Sequence, residues 1–298
     1  MIKNFEELTE AVKNSRRTSI AVAAAADMDV IQVARRCEDL ADFILIGKKD
    51  QIQGLIKESG SPLNAEIIDL EDHAEAAKKA VELVKSGRAG NVMKGLLHTG
   101  VFLKALLNKE TGLNTGRLVS EATIFEKEDG SGLQILTDCA ININPDLMQK
   151  KEILENAVEL ALKLGIETPK AAVLAAVEVI NPDMQATLDG AALTLMARRG
   201  QIKNVVVDGP LAFDNAVDPE AARHKGISGP VAGNADILLV PALESGNMLT
   251  KALIFWAKKR KAAAVLGIGA PVIMTSRSES LANKILTLTM SAYLASRH

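Results

Sequence analysis

The chain has 298 residues, 48% apolar and 24% charged, which is ordinary for a globular protein and long enough for two cores. A net charge of −2 and an aromatic content of 3% argue against nucleic-acid binding, which usually rests on a basic surplus and stacking side chains. No apolar run reaches the roughly 18 residues of a membrane span, and the acidic start Met1-Ile2-Lys3-Asn4-Phe5-Glu6-Glu7 has no apolar segment, so neither a membrane protein nor a signal peptide is expected.

Short aliphatic or β-branched runs at 19–24, 42–46, 66–70, 91–93, 117–125 and 133–137 read as strands. Ile141-Asn142-Ile143-Asn144-Pro145 then marks a domain edge. Asn144-Pro145 looks like the cap and first-turn pair of a helix whose Leu154, Ala157, Ala161 and Leu164 recur at helical spacing. A second series of strands follows at 171–180, 204–207, 236–240, 263–268 and 272–275, and Asn181-Pro182 repeats the helix-start signal. A helix over 248–261 ends in Lys258-Lys259-Arg260-Lys261, where cations complement its dipole; polyphosphate binding is the alternative reading of that run. A last helix over 278–295 carries Leu281, Ile285, Leu288 and Ala292 on one stripe and is expected to return to the first domain. Strands that are apolar throughout imply sheets covered on both faces. The alternation predicts an α/β fold with mainly parallel sheets flanked by helices. Its expected domains are 1–144 joined with 264–298, and 145–263.

Several familiar chemistries find no footing. There is no GxxxxGK[ST] loop, and Gly267-Ile268-Gly269 runs through Ala270-Pro271 into another apolar stretch rather than into a helix, as a dinucleotide fingerprint requires. His73, His98, His224 and His298 show no metal-ligand spacing with one another or with the cysteines, so no metal is expected. Cys37 and Cys139 lie in apolar settings without an adjacent base and read as small buried hydrophobes in a reducing, cytoplasmic protein.

Four segments concentrate phosphate-friendly donors at strand ends. Strand 236–240 empties into Ser245-Gly246-Asn247 and a helix start, which is an anion site or an ordinary capped helix. Strand 272–275 empties into Ser276-Arg277, where a guanidinium fork could grip a phosphate. Asp208 and Asp214 flank a Gly-Pro turn that either lines a cleft or simply ends a strand. Lys94-Gly95 leads to His98 and Lys104 on what is otherwise a solvated helix start.

The order of these pieces resembles the phosphate acetyl/butyryltransferase family over essentially the whole chain. The matching stretches are MKGLLHTGVFLKALLN, LVSEATIFE, TDCAININPDLMQKKEILENA, DGPLAFDNAV, GPVAGNADILLVPALESGNMLTKAL and GAPVIMTSRSES, six in order, and most like the butyryl branch. The resemblance implies two α/β domains of isocitrate dehydrogenase-like architecture with a cleft between them. It implies the reaction butanoyl-CoA + phosphate = butanoyl phosphate + CoA, by direct transfer in a ternary complex. Coenzyme A is then a substrate, no cofactor is required, and a homo-oligomer of at least two chains is expected.

The family's SR motif falls on Ser276 and Arg277 as phosphate ligands, and its SGN segment on Ser245, Gly246 and Asn247. Lys94 is expected as a further phosphate contact. The acetyl branch's proposed base corresponds to Asn283, which cannot take a proton; the nearest carboxylate is Glu279. A cleft arginine of that branch corresponds to Lys104, which keeps the charge without the fork. The rival readings are a phosphate acetyltransferase, a metal-dependent decarboxylating dehydrogenase on the related architecture, and a non-catalytic regulator that binds CoA or acyl phosphate.

Overall fold

The computed structural model describes residues 1–297, so His298 lies outside it. The chain divides into two compact units, Phe5–Arg117 with the chain from Ala262 onward, and Met1–Asn4 with Leu118–Lys261.

The first unit starts with α1 (Phe5–Lys13), β1 (Thr18–Ala23), α2 (Met28–Arg36), β2 (Ala41–Gly47), α3 (Lys49–Glu58), β3 (Ala65–Asp69), α4 (His73–Lys85), β4 (Asn91–Lys94) and α5 (Thr99–Leu106). The second holds β5 (Ser120–Glu126), β6 (Leu133–Thr137), α6 (Leu147–Lys163), β7 (Lys170–Leu174), α7 (Gln185–Arg198), β8 (Val206–Leu211), α8 (Phe213–Val217), α9 (Pro219–His224), β9 (Ile237–Leu239) and α10 (Leu243–Phe255). The chain then re-enters the first unit as β10 (Ala262–Leu266), β11 (Val272–Ile273) and α11 (Leu281–Ala295).

In the first unit the sheet order is β11-β4-β1-β2-β3 and every pairing is parallel. The apolar run of β1 is buried from Ile20 to Ala23, as expected for a strand covered on both faces. Aspartates start the flanking helices: Asp27 accepts from the Asp29 amide at 2.7 Å, and Asp72 from the Ala74 and Glu75 amides at 2.9 Å. A satisfied buried polar chain ties three elements together. Ser291 of α11 donates to Asn91 Oδ1 at 2.8 Å, and Asn91 Nδ2 donates to Thr18 Oγ1 at 3.0 Å. The last helix is buried well beyond a single stripe. Asn283, Lys284, Thr287, Thr289 and Ser291 are buried along with Leu288 and Ala292, whereas Leu281 and Ile285 are only partly covered. It packs on α1, α2, β4, β10 and β11, so neighbours lie on several sides.

In the second unit the strands run in the order β5-β6-β9-β7-β8. Only the β5–β6 pair among these is antiparallel. This hairpin is why residues 118–144, expected with the first domain, fold with the second: β6 pairs directly with β9 in register Ile135↔Ile237 to Thr137↔Leu239. The later boundary falls at Lys261/Ala262, against the expected 263/264.

Other differences are local. The strand expected over 171–180 stops at Leu174, where its partners β8 and β9 also run out, and Val179 and Ile180 are exposed. The segment Asp208-Gly209-Pro210 belongs to β8 and is not a turn. Helix α6 is capped by Asp146 rather than by Asn144-Pro145; Asp146 Oδ1 accepts from the Gln149 amide at 2.8 Å, while the Gln149 side chain accepts from the Asp146 amide at 2.9 Å. Nor does Asn181-Pro182 open α7, which begins at Gln185. Asn181 instead closes a local turn onto the Asp183 amide at 3.0 Å.

Helix α10 runs over Leu243–Phe255, so the basic run lies beyond it and is no helix end. Lys259 pairs with Glu128 at 2.5 Å, and Arg260 Nη2 donates to both oxygens of Glu126 at 2.9 Å. Lys261 is buried. Lys259 and Arg260 are thus engaged with the β5–β6 hairpin.

No described helix is long and apolar enough to cross a membrane. Both cysteines are buried. Burial, helped by Asp39, pushes the Cys37 thiol up to about 12, and burial followed by Glu121 raises Cys139 well above its ordinary value. Neither thiol is poised as a nucleophile.

Candidate active site

Topology singles out one place in the first unit. The chain steps from β1 outward through β2 to β3, then returns to lay β4 on the other side of β1. The carboxyl ends of β1 and β4 therefore flank the switch point of a parallel sheet, where ligands characteristically bind. A shallow hollow opens there, lined by Asp27 and Asp29 after β1, Lys94 to Leu96 after β4, Thr275 to Arg277 after β11, and Lys284 from α11.

Backbone packing builds the floor of this hollow. Ala24 turns the chain out of β1 with φ of 54°, in the left-handed region that costs an alanine roughly 1–2 kcal/mol. Its carbonyl accepts from the Leu96 amide at 2.8 Å, and that of Ala23 accepts from the Gly95 amide at 2.9 Å. A Cβ on Gly95 would lie 2.3 Å from the Ala24 oxygen, so only glycine lets the two loops meet. The side chain of the preceding residue, Lys94, is half-buried and donates to the carbonyls of Gly95 at 3.3 Å and Leu97 at 3.2 Å. Burial first, then the nearby Arg277, lower the Lys94 pKa from its ordinary value, with Asp27 opposing them.

Ser276 and Arg277 are exposed on the loop before α11, and Arg277 makes no ion pair with any described residue. The loop is braced from within. Glu279 Oε1 accepts from the Ser276 amide at 3.1 Å, Ser276 and Ser278 share a hydroxyl contact at 3.1 Å, and Ser280 caps α11. Lys284, buried beneath, pairs with Asp29 at 2.5 Å and ties the start of α11 to the start of α2. Arg277 and Lys94 are thus two cations on one hollow, suited to an oxyanion with several charges.

The sequence-derived residues do not all gather here. Ser276, Arg277 and Lys94 line the hollow, and Glu279 supports its loop. His98 occupies the cap position of α5 without a side-chain bond, and Lys104 is exposed in the last turn of that helix; both are outside the lining. Asn283 is buried in the first turn of α11, its amide donating to Ser280 Oγ at 3.3 Å.

Ser245, Gly246 and Asn247 belong to the second unit and lie inside α10, not in a turn before it. The Gly246 amide is spent on the Ala242 carbonyl at 3.2 Å, and Ser245 Oγ donates to the same oxygen at 2.7 Å. Asn247 Nδ2 donates to the Cys139 carbonyl at 3.2 Å. Here too a glycine permits contact, since a Cβ on Gly246 would sit 2.8 Å from the Asp138 carbonyl oxygen. The β6–α6 loop beside it is organised by Asp138, which accepts from the Ala140, Ile141 and Asn142 amides and from Asn142 Nδ2.

Asp208 and Asp214 are not a pair. Asp208 accepts from the Gly209 amide, whereas Asp214 meets Lys225 at 3.2 Å. Desolvation is the largest single influence on Asp214 and pushes its pKa up, but the hydrogen bond and charge of Lys225 together with backbone hydrogen bonds outweigh it, and the net shift is down.

Asp27, Asp29, Thr275 and Lys284 escaped the sequence reading. Asp27-Met28-Asp29 could have been found as the cap of a helix following a parallel strand; nothing in an amphipathic helix distinguishes Lys284. Among the described residues no group of three or more His, Cys, Asp or Glu is placed to hold a metal ion.

A family model described as phosphate acetyl/butaryl transferase matches residues 70–292. The phosphate butyryltransferase of Clostridium acetobutylicum is 45% identical to this chain, covering 99% of each. The phosphate acetyltransferase of Thermotoga maritima is 41% identical over 98% of this chain and 99% of its own. Among solved structures, a branched-chain phosphotransacylase from Enterococcus faecalis superposes with a TM-score of 0.83 and 31% identity, over 93% of this chain and 99% of that one.

Proposed function

The chain belongs to the phosphate acetyl/butyryltransferase family, and on that premise we propose that it is an acyltransferase that moves a short-chain acyl group between coenzyme A and inorganic phosphate, butanoyl-CoA + phosphate = butanoyl phosphate + CoA. The observation that carries this reading is the hollow in which Arg277, Ser276 and Lys94 meet at the switch point of a parallel sheet. Its cations suit a phosphoryl group, and the reaction requires two anionic reactants to be brought together against their repulsion.

Transfer is direct. In one direction the CoA thiolate attacks the carbonyl carbon of the acyl phosphate, the C–S bond forms and the C–O bond breaks, and phosphate leaves into the grip of Arg277. A thiol of pKa near 8.5 is already a few per cent ionised at neutral pH, so the site needs little basicity. Holding both partners in line contributes up to roughly 7–11 kcal/mol. Ser245, Gly246 and Asn247, which follow β9 in their own unit, are assigned to substrate binding. His98, Lys104, Asp208, Asp214 and Asn283 keep the lesser place of substrate contacts carried over from sequence. We place the enzyme in the cytoplasm as a homo-oligomer of at least two chains, with CoA as substrate and no cofactor.

A thiol-release assay tests the reading. Butanoyl-CoA is expected to yield free CoA only when phosphate is present, and faster than acetyl-CoA. Equal release without phosphate would point to a hydrolase, and CoA binding without any release to a regulator. A preference for acetyl-CoA would move the enzyme to the acetyl branch.

Glu279 is proposed as an assisting base. Its carboxylate also receives the Ser276 amide, and glutamine preserves that acceptor while removing the titrating group. Glu279→Gln is therefore expected to lower the rate at acid and neutral pH and to recover as rising pH ionises the thiol unaided. A pH–rate profile that superposes on wild type would leave Glu279 as a loop brace alone.

A further inference from the structure

We infer that Lys94 is a site of self-acylation, its amine taking the acyl group from an acyl phosphate held at Arg277 and so recording the enzyme's own substrate. The inference rests on the function proposed above and concerns the same hollow.

Two lysines line that hollow and they differ in kind. Lys284 has a side chain 7% exposed and is held by Asp29 at 2.5 Å. Lys94 is half-buried and pairs with no carboxylate among the described residues. Its bonds are long ones, at 3.3 and 3.2 Å, to the carbonyls of Gly95 and Leu97, and neither requires a charged donor. Burial and then the Arg277 charge lower its pKa against the opposing Asp27, so its proton is lost more readily than that of an exposed lysine. The fraction of Lys94 that sheds its proton is a nucleophile, and an acyl phosphate gripped by Arg277 would bring an activated carbonyl into the same cavity.

The step balances without a further reactant. The Lys94 nitrogen adds to the carbonyl carbon, a C–N bond forms and the C–O bond to the phosphoryl group breaks. Phosphate departs with the electron pair, and the amine's proton passes to it or to water. The product is a neutral amide in place of a cation that faces the phosphate. Acylation therefore weakens phosphate binding, and acyl phosphate accumulating without CoA would restrain the enzyme that makes it.

The test incubates purified wild-type protein and Arg277→Ala with butanoyl phosphate in the absence of CoA, then maps acyl groups by peptide mass spectrometry. Turnover is assayed on the same wild-type batch. In wild type, Lys94 is expected to carry the acyl group at least about tenfold above the exposed Lys78, and in Arg277→Ala that excess is expected to vanish. Labelling of Lys94 no greater than Lys78, with turnover intact, overturns the inference and leaves the acyltransferase standing. Equal excess in both proteins overturns it as well, since Arg277 would not be presenting the acyl group. Absence of both labelling and turnover sinks the two readings together.

Discussion

Arg277→Ala is expected to lose on the order of a hundredfold or more in the rate of acyl transfer, an electrostatic contribution near 3 kcal/mol. The guanidinium is exposed on a loop whose internal bonds run through Ser276, Ser278 and Glu279. It makes no ion pair with any described residue, so alanine leaves the packing as it is and stability should change by no more than about 0.5 kcal/mol. Steady-state kinetics with acyl phosphate and CoA, run beside a thermal melt, separate chemistry from folding. The loss should fall most heavily on the phosphate-bearing reactant, because Lys94 remains as the second cation and cannot supply a bidentate fork. Normal turnover in a well-folded Arg277→Ala protein would place the phosphate elsewhere.

A comparable loss, in stability instead of rate, is expected from the core of the second unit. Lys150 of α6 and Asp189 of α7 form an ion pair at 2.6 Å with side chains 5% and 4% exposed. Gln185 Nε2 donates to the other aspartate oxygen at 2.8 Å. Removing the cation alone, as in Lys150→Met, strands a carboxylate out of water and should cost about 3–5 kcal/mol. At roughly 2–4 °C per kcal/mol for a unit of this size, the melting temperature falls on the order of 10 °C. Replacing both partners, Lys150→Met with Asp189→Leu, removes the stranded charge and should restore most of the loss. A single variant that melts with wild type would mean that water reaches the pair. A double variant no better than the single would mean that the site cannot be repacked.

The two variants also mark the limits of what could be read from the chain. The place of Arg277 in the fold was legible because a short apolar run, a polar turn and a helical pattern in succession identify the carboxyl end of a parallel strand. Lys150 was not, because in sequence it is one more lysine among Gln149-Lys150-Lys151 at the start of an amphipathic helix. Which of those side chains turns inward depends on what α7 offers across the gap.

Boundaries failed where local signals compete. Asn144-Pro145 and Asp146 are all plausible helix starts; the reciprocal bonds between Asp146 and Gln149 decide among them. The segment after Leu174 is as apolar as the strand before it, yet it leaves the sheet because β8 and β9 offer no further backbone partners. A lone strand cannot carry its own hydrogen bonds.

By itself, then, the chain's pattern determined the layered α/β class, the mainly parallel strands, the family and the loops that carry Ser276, Arg277 and Lys94. These depend on periodicity and on short-range order, which sequence records directly. Only the tertiary structure decided that 118–144 fold with the second unit, that Ser245 to Asn247 lie within a helix, and that Lys284 is buried against Asp29 beneath the Ser276–Arg277 loop. Each of those outcomes turns on which distant backbone or side chain stands opposite, and that is a property of packing.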